Sequence, residues 1–201
     1  MQQLNLFDVN ESLSFPENLV EYHPGFVEAQ QSHLLLKQLI GEVPWQQQII
    51  PMYGKDVVTP RLTAWYGDRE KSYRFSGTRF DPLPWTKELY ALKESIQTFT
   101  GLSFNSVLLN FYRDGNDSVA WHSDNEKELG MNPHIASLSI GQVRKFEFRH
   151  KNEHGRKYAL SLENGSLLIM KGDLQHQWEH RIPKSKIQNS ERINLTFRSI
   201  L

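Results

Sequence analysis

Two spacings of apolar residues divide this chain. Over 28–40, Ala29, Leu34, Leu35, Leu36 and Leu39 recur so as to give a helix one buried face. A second helix is better marked. Thr86 stands as N-cap after Pro82 and Pro84, Leu89, Leu92, Ile96 and Phe99 follow at helical spacing, and Gly101 stops it. Beyond Gly101 the period shortens. Apolar runs over 106–112, 135–140, 145–149, 158–162, 166–171 and 193–198 read as strands. Turn residues punctuate them: Asp114-Gly115-Asn116, Gly141, His154-Gly155, Asn164-Gly165 and Gly172-Asp173. Lys145-Phe146-Glu147-Phe148-Arg149 alternates strictly, as a half-buried strand should. The pattern predicts a mainly β fold with flanking helices (α+β), a sandwich or barrel such as a jelly roll.

With 201 residues the chain has room for one domain with a substantial core. Residues 1–20, polar with scattered Leu and Phe, read as an N-terminal arm and 21–201 as the domain. Hydrophobic residues at 38% and charged residues at 23% fit an ordinary globular protein, not a disordered one. No apolar run approaches membrane-spanning length, and the start has neither the basic nor the apolar region of a secretory signal. Absence of cysteine removes disulfides, thiolate metal sites and cysteine nucleophiles together, leaving His, Asp and Glu as metal ligands. A cytoplasmic monomer is the expectation, nucleoid-associated if bacterial. Lys plus Arg equals Asp plus Glu at 23 each, so a nucleic-acid partner would need a local basic surface.

The first chemical signal is His122-Ser123-Asp124, placed past a strand and a Gly-containing turn. Alone it is weak, because such pairs more often form a surface hydrogen bond. Support comes from His180, in Gln177-Trp178-Glu179-His180-Arg181, and from Arg192-Ile193-Asn194-Leu195-Thr196-Phe197-Arg198 beyond it. Two imidazoles and a carboxylate on one face of an octahedron make the facial triad of non-haem Fe(II) oxygenases. An Arg on the following strand suits the far carboxylate of a dicarboxylate by a two-point contact. His176 is the rival ligand. On a helix it would share a face with His180, as in zinc sites, whereas Trp178 and Ile182-Pro183 favour strand or loop.

Taken together, His122-x-Asp124, His180 and Arg192-x-Asn194-x-Thr196-Phe197-Arg198 resemble the AlkB family of Fe(II)/2-oxoglutarate dioxygenases. Leu109-Asn110-Phe111-Tyr112 is similar to that family's Asn-x-Tyr strand. Pro60-Arg61, Tyr73-Arg74-Phe75-Ser76-Gly77 and Arg149-His150-Lys151 point to the branch that repairs duplex DNA. The resemblance implies a double-stranded β-helix with Fe(II) on His122, Asp124 and His180. It also implies 2-oxoglutarate and O2 as cosubstrates. Arg192 would pair with the distal carboxylate, Asn110, Tyr112 and Asn194 would line the cosubstrate site, and Arg198 would contact the keto-acid end. The implied activity is oxidative demethylation of 1-methyladenine and 3-methylcytosine type lesions, releasing formaldehyde, succinate and CO2.

Oxidising a base requires taking it out of the stack. By the same resemblance Phe75 stacks on the flipped base, Tyr73 borders its pocket, and Glu126 faces the lesion. Tyr53 falls where relatives carry the aromatic finger that replaces the base; packing on a neighbouring strand is the alternative. Arg61 belongs to this substrate set. Arg149 and Lys151, in a basic hairpin with Arg156 and Lys157, match the part that grips the complementary strand. Gln3-Leu4-Asn5-Leu6-Phe7 is similar to the bacterial sliding-clamp-binding peptide, against an arm packed on the domain. Three other functions compete: the same chemistry on RNA or protein, a silent nucleic-acid-binding module, and a zinc hydrolase, for which no nucleophile is obviously poised.

Overall fold

The computed structural model describes residues 18–52, 55–71, 73–75, 78–187 and 190–201. In chain order the strands are β1 (Val20–His23), β2 (Ile49–Met52), β3 (Lys55–Val58), β4 (Leu62–Gly67), β5 (Tyr73–Phe75), β6 (Thr78–Phe80) and β7 (Ser106–Tyr112). They continue with β8 (Val119–His122), β9 (Ile135–Gly141), β10 (Arg144–His150), β11 (Lys157–Leu162), β12 (Ser166–Met170), β13 (Trp178–Ile182) and β14 (Arg192–Arg198). The helices are α1 (Ala29–Glu42), α2 (Lys87–Thr100) and a single turn, α3 (Leu174–Gln177). A six-stranded sheet, ordered β1-β12-β9-β14-β7-β4, faces a four-stranded sheet, β11-β10-β13-β8. Every ladder within the two sheets is antiparallel. Two small hairpins, β2-β3 and β5-β6, stand apart from them.

Period-two alternation gives the larger sheet two distinct faces. Val107, Leu109 and Phe111, with Ala136, Leu138, Ile140, Ile193, Leu195 and Phe197, pack against Leu35, Leu39, Leu89, Leu92 and Ile96 of the helices. A second core, between the sheets, gathers Tyr112, Ile135, Phe146, Phe148, Leu162, Leu168, Met170 and Ile182. The residues alternating with the first set include Asn110, Ser137, Ser139, Arg192, Asn194 and Thr196, all buried. One face of β7, β9 and β14 is therefore apolar and sealed by helices, and the other carries the polar lining of a cavity.

Local signals hold where they are local. Thr86 caps α2 by accepting from the Leu89 amide at 3.2 Å, and Gly101 ends it in the left-handed region at φ 71°. The apolar faces of the helices are narrower than their sequence pattern. Ser32, Leu35 and Leu39 are the buried residues of α1, while Leu34 is 62% exposed and Phe99 of α2 53%. Two strands absent from the sequence expectation, β8 and β13, carry His122 and His180. β8 has only four residues, and in β13 the inward series Trp178, His180 and Ile182 is broken by a histidine. Val20 already belongs to the larger sheet, paired with Met170. No described helix is long and apolar enough to cross a membrane.

Candidate metal centre and cosubstrate pocket

The β8 and β13 ladder places His122 directly opposite His180, both on the face turned toward the larger sheet. Their ring centroids are 4.3 Å apart, and Phe146 stacks on His180 at 5.1 Å. Asp124 lies two residues beyond β8, 4% exposed. Its oxygens stand 3.8 Å from His122 Nε2 and 4.0 Å from His180 Nε2. Those gaps are too long for hydrogen bonds, and the three ligand atoms lie within 4.8 Å of one another, so an ion fits among them.

Protonation favours a cation at this point. His122 Nδ1 lies 2.9 Å from the Ala120 carbonyl, which can only accept, so Nδ1 is the donor there and Nε2 is the ring nitrogen turned toward Asp124. Burial, reinforced by His122, pushes the His180 pKa down to about 3, keeping the ring neutral. Burial alone would push the Asp124 carboxyl up. The Arg198 guanidinium leads the opposing influences, and the pKa is held at about 2, so the carboxylate is ionised. Arg198 Nη2 approaches Asp124 Oδ1 to 2.8 Å.

Two further contacts hold the Asp124 segment. The Asp124 amide donates to Gln175 Oε1 at 2.9 Å, and Ser123 Oγ donates to the Trp178 carbonyl at 2.9 Å. Gln175 is 1% exposed. Nothing in the spacing of the chain marks it, because it acts only through tertiary contact. The helix that would pair His176 with His180 is absent: α3 ends before Trp178, and His176 is exposed while His180 is buried.

A pocket beside the triad is lined by Asn110, Tyr112, Ser137, Arg192, Asn194 and Thr196 from the larger sheet. Arg192 is 1% exposed and donates to Ser139 Oγ at 2.9 Å through Nη2, while Nε and Nη1 have no partner among the described residues. Its guanidinium also lies 5.0 Å from the Tyr112 ring centroid. Burial lowers its pKa to about 10, which still leaves it charged. A buried cation with two idle N–H groups is costly unless an anion arrives, and a carboxylate fits that fork. Asn194 is already occupied, donating to Ser137 Oγ at 2.7 Å and to the Leu138 carbonyl at 3.1 Å while accepting from Thr196. Asn110 accepts from Arg61 Nε at 2.7 Å, which brings Arg61 to the pocket. Ser137 and Ser139 were not singled out by sequence. Their signal, polar residues at every second position of an apolar strand, was available in Ala136-Ser137-Leu138-Ser139-Ile140.

Glu126 Oε2 is buried and unpartnered. Arg149 pairs with Glu179 at 2.7 Å, and Lys151 donates to the Gln175 carbonyl at 2.7 Å, so both cationic ends are engaged within the chain. Tyr73 and Phe75 lie on β5, which pairs with β6. Tyr53 and the peptide Gln3-Leu4-Asn5-Leu6-Phe7 lie outside the described residues.

Residues 20–198 match the 2OG-Fe(II) oxygenase superfamily. The chain belongs to that superfamily. Membership carries Fe(II), 2-oxoglutarate and O2 with it, and the buried Arg192 fork beside a His-Asp-His cluster accords with that set. Among similar proteins, the rat "Alpha-ketoglutarate-dependent dioxygenase alkB homolog 3" is 44% identical over 187 residues, covering 89% of this chain and 63% of the relative. The human "DNA oxidative demethylase ALKBH2" is 40% identical over 159 residues, 76% of this chain and 61% of the relative. The chain thus spans less than two thirds of the length of these relatives. A solved structure titled "The structure of OsALKBH1" superposes with a TM-score of 0.63 at 19% identity, covering 90% of this chain and 97% of that one. Two facing antiparallel sheets with helices outside make the fold a double-stranded β-helix, as expected for the superfamily.

Proposed function

We propose that this protein is an Fe(II)- and 2-oxoglutarate-dependent dioxygenase that repairs DNA by oxidative removal of alkyl groups from bases of the 1-methyladenine and 3-methylcytosine type. The observation that carries this reading is the adjacency of the triad and the half-satisfied Arg192 guanidinium in one pocket. The relatives named as an alpha-ketoglutarate-dependent dioxygenase and a DNA oxidative demethylase supply the substrate class.

His122, Asp124 and His180 would hold the iron, and Arg192 the distal carboxylate of 2-oxoglutarate. Iron bound there with 2-oxoglutarate and O2 supplies oxidation of an N-alkyl carbon, with succinate, CO2 and formaldehyde as products. The chain's own part is orientation and enclosure. Tyr112 and Asn110 bound the cosubstrate, Phe146 and Ile182 keep water from the ligand imidazoles, and Arg198 keeps Asp124 ionised. Glu126, with its buried free oxygen, would accept from the exocyclic amine of a cationic base. Tyr73 and Phe75 would stack with the flipped base and Tyr53 fill its gap. The finer reading has a monomer in the cytoplasm acting on duplex DNA and tethered to a sliding clamp through Gln3–Phe7.

Incubating a 1-methyladenine oligonucleotide with the protein, Fe(II) and 2-oxoglutarate, then weighing the product, tests the function. Wild type is expected to remove one methyl mass, and His122→Ala and Asp124→Ala none. Succinate release without any change in the oligonucleotide would remove the base-repair reading while leaving the dioxygenase.

A further inference from the structure

The face of the four-stranded sheet turned away from the cavity carries charged and aromatic contacts that the chemistry above does not use. Arg149 on β10 binds Glu179 on β13 through Nε at 2.8 Å and Nη2 at 2.7 Å. Arg181 on β13 binds Glu147 on β10 in the same two-nitrogen manner, at 2.7 Å for each. Both guanidiniums lie against one indole, that of Trp121 on β8, at 4.4 and 4.5 Å from its ring. The three strands are cross-linked by side chains on this face.

Such bracing matters because β8 is held poorly by its backbone. Among the described residues it is an edge strand, paired with β13 alone, at His180↔His122 and Ile182↔Val119 with a register shift between the two. Yet β8 and β13 each carry a histidine of the triad, and the residues of these cross-links are the immediate neighbours of both. Trp121 precedes His122, and Glu179 and Arg181 flank His180. Alternation along a strand sends neighbours to opposite faces, so what fixes Trp121 outside fixes His122 inside.

We infer that Trp121 is a positioning residue for the metal site, clamping β8 to β13 so that His122 and His180 stay at ligand separation. The inference rests on the reading that the triad binds metal. Ligand positioning of this kind sets metal affinity more than it sets fold stability. A purely structural tryptophan would instead change melting alone.

The test is a Co(II) titration of the full chain followed by visible absorption, with the melting temperature of the metal-free protein beside it. Trp121→Ala is expected to weaken Co(II) binding about tenfold or more. Trp121→Phe, which keeps a ring face for the guanidiniums, is expected to stay within about threefold of wild type. Co(II) affinity of a folded Trp121→Ala equal to wild type would overturn the inference, whatever its melting temperature. Should that variant not fold, Arg181→Gln decides: about threefold weaker binding supports the clamp and unchanged binding overturns it. Asp124→Ala separates the two levels. If it binds Co(II) as wild type does, the metal reading itself fails and the clamp with it.

Discussion

Two buried arginines sit against the same Tyr112 ring and have opposite meanings. Arg144 and Arg192 are each 1% exposed, with guanidiniums 5.6 and 5.0 Å from that ring. Arg144 spends its charge inside the protein. It donates to the Asp114 carbonyl at 3.1 Å, to Asp117 at 2.9 Å and to Pro183 at 2.6 Å, tying the loop before β8 to the exit of β13. Arg144 leaves Nε alone without a partner, whereas Arg192 meets the Ser139 hydroxyl and leaves both Nε and Nη1 without one among the described residues. Burial of a charge is therefore no sign of a binding site; burial without partners is. The region around Arg144 is a joint, and the region around Arg192 is the proposed receptor for an anion.

That contrast can be broken most strongly at Arg192. Arg192→Met is expected to raise the KM for 2-oxoglutarate about a thousandfold, the loss of two charge-assisted bonds. Its stability to urea should stay level or rise, because a buried, poorly paired charge is removed. A drop in stability without a change in KM would reverse the roles assigned to the two arginines.

Arg144→Met should behave the other way. Three carbonyls lose their donor, so stability is expected to fall by about 3 kcal/mol in denaturant unfolding. The KM for 2-oxoglutarate in the fraction that folds should move less than about threefold.

The smallest effect separates the metal side of the cavity from the cosubstrate side. His180 titrates near 3 when folded against an ordinary 6.5, so between those values the unfolded chain holds the extra proton. Stability of the metal-free protein should therefore fall with pH, by about 2 kcal/mol between pH 7 and 5, and His180→Asn should remove that part of the slope. Arg192, still charged up to about 10, contributes no slope there. Thermal melts across that range check it.

Much of this was legible because its causes are local or periodic. The Thr86 cap and the Gly101 stop define α2 within a few residues, and β7 and β14 follow from alternation. His122, Asp124, His180 and Arg192 were visible through the order of a motif. Other parts had no local signal. Gln175 and Arg144 act through contacts to residues dozens of positions away. Arg149 and Lys151 read as a basic grip, and only the fold turns their charges onto Glu179 and the Gln175 carbonyl.

What the chain determines on its own is which residues alternate, where helices begin and end, and which side chains have ligand chemistry. Those properties follow from steric and solvation preferences within a few residues. Only the tertiary structure decides that His122 faces His180, that Asp124 is ionised and that two nitrogens of Arg192 have no partner among the described residues. Each of these is set by long-range pairing and by the exclusion of water between two sheets.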